Sequence, residues 1–128
     1  MPVSKRWSLD MSAGPIFEQI AKNVRQQLAR GDLAPGDRLP SARDLAATLS
    51  VNPNTVVHAY ALLEQQDVIE KRRGLGTFVR PDAPVPTLKN ELLHAAVTTF
   101  LGEARQLGVP DSQALAAIEE GLNASDSS

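Results

Sequence analysis

The chain has 128 residues, with 13 Lys plus Arg against 15 Asp plus Glu, no Cys, and five aromatic residues (one Trp, one Tyr, three Phe) within a 42% apolar composition. This length fits one ordinary domain or a small domain with an appendage, and a core made mainly of aliphatic side chains suits helix-on-helix packing rather than a large β-sandwich. The lack of Cys excludes disulfide scaffolds, zinc fingers, iron–sulfur sites and thiol catalysis. It also fits a reducing compartment. No run approaches the roughly 18 apolar residues of a membrane span, and Met1-Pro2-Val3-Ser4-Lys5-Arg6-Trp7 has no apolar signal core, so a cytoplasmic, non-exported protein is expected. The net charge of −2 hides an asymmetry: residues 1–80 carry 11 basic and 8 acidic side chains, residues 81–128 only 2 and 7.

In chain order, a first helix is predicted from Pro15, where a missing N–H is harmless, to Gly31, suited to a left-handed cap. Phe17, Ile20, Val24 and Leu28 recur at helical spacing and predict its buried stripe. Leu33-Ala34-Pro35-Gly36-Asp37 reads as a turn. Ser41-Ala42-Arg43-Asp44 then places a hydroxyl at an N-cap and a carboxylate three residues on, the reciprocal pattern of a capping box. A second helix follows to about Leu49, burying Leu45, Ala46 and Leu49. Asn52 followed by Pro53 marks the start of a third.

Two short helices with so tight a connection predict a helix-turn-helix. On the third helix Val56, Tyr60 and Leu63 share one face, and Asn54, Thr55 and His58 share another that is polar but uncharged. Solvated helix faces usually carry Lys and Glu, whereas amides and hydroxyls can pair with a major-groove edge. Val68–Arg72 and Thr77–Arg80 have strand composition and are joined by Arg73-Gly74-Leu75-Gly76, predicting a basic hairpin or wing.

Three prolines in 81–86 predict a linker over 81–87. Beyond it, over 88–122, two helices are expected, separated by Gly108-Val109-Pro110. In the first, Leu88, Leu92, Ala95, Ala96 and Thr99 line one side, and Leu93, Val97, Phe100, Ala104 and Leu107 another; in the second, Leu115, Ile118 and Leu122 recur. Two such helices form too little core alone, which predicts burial against a second copy, with folding back onto the same chain as the alternative. The candidate dimerisation residues are Leu88, Leu92, Leu93, Ala96, Val97, Phe100, Leu107, Leu115, Ile118 and Leu122. Residues 123–128, small and polar, are expected to be a disordered tail.

The series Pro15-Ile16-Phe17-Glu18-Gln19-Ile20, Gly31 to Ala46, Val51-Asn52-Pro53-Asn54-Thr55-Val56 and Arg72-Arg73-Gly74-Leu75-Gly76-Thr77-Phe78-Val79 resembles the DNA-binding domain of the GntR family of bacterial transcription regulators. The resemblance covers roughly residues 10–80 in unbroken order. Asn-Pro-Asn-Thr-Val is similar to the YtrA and MocR branches, and the 48 residues after Arg80 are too few for the large aminotransferase-like domain of the latter. The resemblance implies a mostly α fold with a small β-hairpin: a winged helix-turn-helix over residues 1–80, followed by a short helical dimerisation region over 88–122. It further implies a cytoplasmic homodimer, a regulator by default repressing, with Arg43 at the family arginine that reaches DNA and Arg73 and Gly74 at the wing tip.

The residues support DNA roles on their own chemistry. Arg43 in a first helical turn opposes the helix dipole, so a phosphate or guanine edge supplies its missing partner unless Asp10 or Asp37 pairs with it. Ser41, Asn52, Asn54 and Thr55 sit at helix starts, where amide N–H groups favour phosphate and side chains reach bases. Asn52 can also serve only as a cap, and His58 can contact DNA or simply face solvent. Where the FadR branch carries arginines, this stretch does not. Lys71, Arg72 and Arg73 can be a solvated charge run, but Arg73 beside Gly74 is a candidate for a minor groove, with Arg72 a further DNA-binding candidate. Two wings related by a two-fold axis would read an inverted repeat in double-stranded DNA.

No catalytic constellation is legible: His58 and His94 are isolated and Gly74-Leu75-Gly76 lacks the strand-to-helix context of a phosphate loop. The expectation is therefore no enzyme, no cofactor and no metal. The competing readings are a winged-helix protein-interaction adaptor and a nonspecific architectural DNA binder. Operator sequence, regulated genes and any small-molecule effector are not legible in the sequence.

Overall fold

A computed structural model of the chain describes Trp7 and residues 9–126. Helix α1 spans Ile16–Arg30, with Glu18 in its first turn and Arg30 in its last, both complementing the helix dipole. Gly31 ends it at φ 85°, a left-handed cap whose N–H reaches the Gln27 and Leu28 carbonyls. Ile20, Val24 and Leu28 are buried as the periodicity predicts, each contributing about 1.5–3 kcal/mol of transfer free energy. Phe17, the first member of that stripe, is only half-buried.

Strand β1 is Arg38–Leu39, helix α2 Ala42–Leu49 and helix α3 Pro53–Gln65. Ser50 in the left-handed region (φ 58°) turns the chain between the two helices. The Ser41 hydroxyl caps α2 by accepting from the Asp44 N–H at 3.1 Å. The reciprocal bond of a full capping box does not form, because Asp is one methylene shorter than the Glu such a box uses. Leu45 and Ala46 are buried, whereas Leu49 is half-buried. Helix α3 packs against both α1 and α2, with Val56, Ala59, Tyr60 and Leu63 inward. The Tyr60 hydroxyl donates to the Pro40 carbonyl at 2.7 Å, tying α3 to the residue before the α2 cap.

Strands β2 (Ile69–Arg72) and β3 (Gly76–Val79) form the predicted hairpin, but the sheet has three strands in the order β1-β3-β2, all antiparallel. The additional strand pairs Arg38 with Phe78 and Leu39 with Thr77. Its two residues are too few to show any alternation. Leu39, Val68, Ile69 and Val79 close the core beneath the helices.

Helices α4 (Val85–Gln106) and α5 (Asp111–Asp126) follow, and three expectations for this region are corrected. The linker expected over 81–87 is already helical from Val85, because Pro84 and Pro86 fall where the first turn needs no N–H; the Leu88 N–H bonds the Pro84 carbonyl at 3.0 Å. Leu88, expected in a dimer interface, is 4% exposed and belongs to the first compact unit, which runs through Lys89 within α4. The tail expected from 123 is helical to Asp126, since no Gly or Pro follows Leu122 to stop α5; residues 127–128 lie outside the described ones.

The second unit, 90–128, contains the rest of α4 and all of α5. Gly108 at φ 76° turns the chain between them, and Ala104 and Ala114 are buried. Leu93, Val97, Leu107, Leu115, Ile118 and Leu122 remain exposed, while Leu92 and Phe100 are half-buried and Ala96 is exposed. Among the described residues no helix is long and apolar enough to cross a membrane.

Candidate nucleic-acid interface

Helix α3 begins with its backbone donors partly satisfied. The Asn52 Oδ1 accepts from the Asn54 N–H at 2.8 Å, and Pro53 occupies the first helical position. Asn52, Asn54, Thr55, Val57 and His58 line one open depression of about 530 Å³. Four of these were expected from the sequence; Val57 was not, because only polar groups signal base readout there. Asn52, Asn54 and His58 are exposed and Thr55 is half-buried. The His58 ring lies 5.4 Å from that of Phe17 in a tilted arrangement, so α1 props the imidazole from behind. That contact also explains why Phe17 is not in the core.

At the start of α2, Ser41 and Arg43 are both exposed. Neither carboxylate considered as an ion-pair partner for Arg43 approaches it. Asp10 accepts from Ser12, and Asp37 accepts from the Ala34 N–H. Hydrogen bonding by Ser12 holds the Asp10 carboxyl below the ordinary Asp range. Among the described residues, Arg43 has no ion pair.

The basic run at the wing separates into three different environments. Lys71 lies 3.9 Å from Glu64. Arg72 donates through Nε and Nη2 to Glu70 at 3.1 and 3.0 Å, and its guanidinium lies 4.5 Å from the Phe78 ring centroid. The expectation that Arg72 faces DNA is therefore revised: alternation along β2 puts it on the face of Glu70, where the carboxylate neutralises it and the ring holds it. Arg73 alone of the three is free of an ion pair among the described residues, and it is exposed. Beside it Gly74 (φ 78°) occupies the third position of a turn closed by the Leu75 N–H and the Arg72 carbonyl at 2.9 Å, a conformation that favours glycine. Leu75 is exposed at the same tip.

A further cation escaped the sequence reading. Arg38 on β1 is exposed and, among the described residues, unpaired; a Cβ on Gly76 would come within 3.0 Å of its Nε, so the guanidinium lies against the Gly76 backbone. Only the pairing of β1 with β3 brings Arg38 to the wing, and no local signal announces it. At the base of the wing, Arg80 forks onto Asp82 at 2.9 and 3.0 Å and reaches Asp67 at 3.3 Å. The Arg80 hydrogen bond holds the Asp82 carboxyl below its ordinary range. Among the described residues no three His, Asp or Glu side chains cluster in a way that could hold a metal.

The arrangement offers helix starts, an uncharged amide-rich helix face and separate guanidinium groups, which suits hydrogen bonding to base edges and phosphates. The family model described as "Bacterial regulatory proteins, gntR family" matches residues 16–79. The chain is 38% identical to YhcF of Bacillus subtilis, an uncharacterized HTH-type transcriptional regulator, over 84% of this chain and 90% of that one. It is likewise 38% identical to the HTH-type transcriptional repressor YtrA of the same organism, over 75% of this chain and 70% of that one. The solved structure of a GntR family transcriptional regulator from Listeria monocytogenes superposes with a TM-score of 0.76 at 30% identity, covering 88% of this chain and 98% of that one. With the winged helix-turn-helix in place and its polar helix face outward, the chain belongs to the GntR family, as a DNA-binding transcriptional regulator of YtrA-like layout.

Proposed function

We propose that this regulator is a cytoplasmic repressor that binds an inverted-repeat operator as a homodimer. The observation that carries sequence-specific binding is the face of α3: Asn54, Thr55 and His58 with no charge among them, next to the capping amide of Asn52. A nonspecific binder gains affinity from Lys and Arg on phosphates, whereas amides gain little there and discriminate among bases. Ser41, Arg43, Asn52, Asn54, Thr55, His58, Arg73 and the Gly74 turn form the contact surface, and Arg38 joins them as a phosphate ligand.

Dimerisation is supported by the exposure of Leu93, Val97, Leu107, Leu115, Ile118 and Leu122 across two helices with little enclosed core of their own. A second copy with the same faces covers them and sets two wings on a two-fold axis. Repression is carried over from the printed name of the Bacillus YtrA relative. The test is selection of the full-length protein on a random-sequence duplex library, with its mass measured in solution. A dimer enriching an inverted repeat is expected; a monomer, or a pool with no motif, overturns the proposal.

A further inference from the structure

The outward stripe of α3 contains an apolar side chain that the core does not use. Val57 is 46% exposed, whereas Val56, Ala59, Tyr60 and Leu63 take the inward positions. It follows Asn54 by three residues, adjoins His58, and shares their depression. A β-branched residue loses rotamer freedom in a helix, so on a purely solvated face Ala, Lys or Glu would be the better choice. The same stiffness gives Val57 a fixed pair of methyl groups that needs no further ordering on binding.

In the major groove the apolar feature of a base edge is the thymine 5-methyl group, and the partner that an Asn matches bidentately is adenine. Side chains three apart on a helix are about 5–6 Å apart at Cβ, compared with about 3.4 Å between successive bases of a strand. Asn54 and Val57 therefore span neighbouring base pairs. We infer that Val57 reads a thymine methyl group, so that each half-site carries a thymine within one or two steps of the base contacted by Asn54. This inference rests on the sequence-specific reading above and adds the identity of one base to it.

The experiment uses full-length protein and the duplex enriched by selection, with deoxyuridine replacing thymine one position at a time to delete only the methyl group. At one thymine per half-site the wild type should lose about four-fold in affinity, the worth of one buried methyl group. Val57→Ala, which improves helix propensity and should keep its helical circular dichroism, should bind the thymine duplex more weakly and no longer distinguish it from the deoxyuridine duplex. Wild-type indifference to deoxyuridine at every position, or full discrimination retained by Val57→Ala, overturns the inference and leaves sequence-specific binding standing. A selection that enriches no motif overturns both.

Discussion

Replacing Tyr60 by Phe tests how the helix-turn-helix is held together, with two readouts from one oxygen atom. The ring is 3% exposed, and its hydroxyl donates to the Pro40 carbonyl at 2.7 Å, one residue before the α2 cap. Deleting the hydroxyl leaves a part-buried carbonyl without that partner, which costs about 1–1.5 kcal/mol at neutral pH. For a domain of this size that lowers Tm by about 4–8 °C per kcal/mol. Burial also pushes the Tyr60 phenol above its ordinary value of 10.0, since phenolate would be stripped of water. The native state thus keeps a proton that the unfolded chain releases near pH 10. Wild-type stability from this group is fully present below about pH 10 and declines above it, by up to about 1.4 kcal/mol per pH unit, until the native phenol itself ionises. The Tyr60→Phe variant has no such decline, so the wild-type advantage should shrink above pH 10 and reverse at about pH 11. Every other side chain is common to the two proteins and cancels in the difference. Urea denaturation from neutral to alkaline pH measures it directly. Equal stabilities at neutral pH, or two curves that stay parallel into the alkaline range, would refute the reasoning.

Asn52→Ala removes the acceptor of the Asn54 N–H and should cost about 1 kcal/mol of stability, whereas Asn52→Asp keeps the cap and adds a charge that favours a helix start. The Asp variant should stay as stable as the wild type yet bind DNA more weakly, because its carboxylate meets phosphates; undiminished binding would take Asn52 out of the interface. Arg38→Ala, Arg43→Ala and Arg73→Ala each remove one contact from both subunits and should each reduce the slope of log affinity against log salt by about 1.8. Arg72→Ala should leave that slope unchanged, because Glu70 already neutralises the guanidinium; equal slope losses for all four contradict this division. A Val97→Glu, Ile118→Glu double variant places carboxylates on exposed apolar faces of α4 and α5 and should sediment as a helical monomer where the wild type sediments as a dimer. A variant that remains dimeric moves the interface elsewhere.

Elements that end on a chemically distinctive residue were legible in the sequence. Gly31, Ser41 and the Asn52-Pro53 pair each mark a helix boundary by local stereochemistry, and the structure places α1, α2 and the start of α3 within a residue of the expected bounds. What was missed depends on partners distant in sequence or on a signal read too generally. β1 is a strand only because β3 lies beside it. Prolines 84 and 86 look like a linker until they are recognised as a first helical turn, where the same missing donors are harmless. Arg72 could have been assigned from its own strand, since Glu70 two residues earlier must share its face. Within the candidate site, Asn52, Asn54, Thr55 and His58 were found by polarity, and polarity is why Val57 was passed over. The Phe17 support behind His58 joins two helices and leaves no local trace.

The capping bonds also determine what this surface can recognise. Ser41 uses its oxygen to accept from Asp44, and Asn52 uses Oδ1 to accept from Asn54. Each bond engages the acceptor oxygen and leaves the donors of the same side chain, the Ser41 hydroxyl proton and the Asn52 amide hydrogens, without a partner among the described residues. Arg38, Arg43 and Arg73 add groups that can only donate. The surface is thereby biased toward donation before any ligand arrives, which matches phosphate oxygens and the N7 and O6 acceptors of purines. The bonds that start the helices thus leave donors directed to a ligand, and alanine at Ser41 or Asn52 removes a helix cap and a DNA donor together.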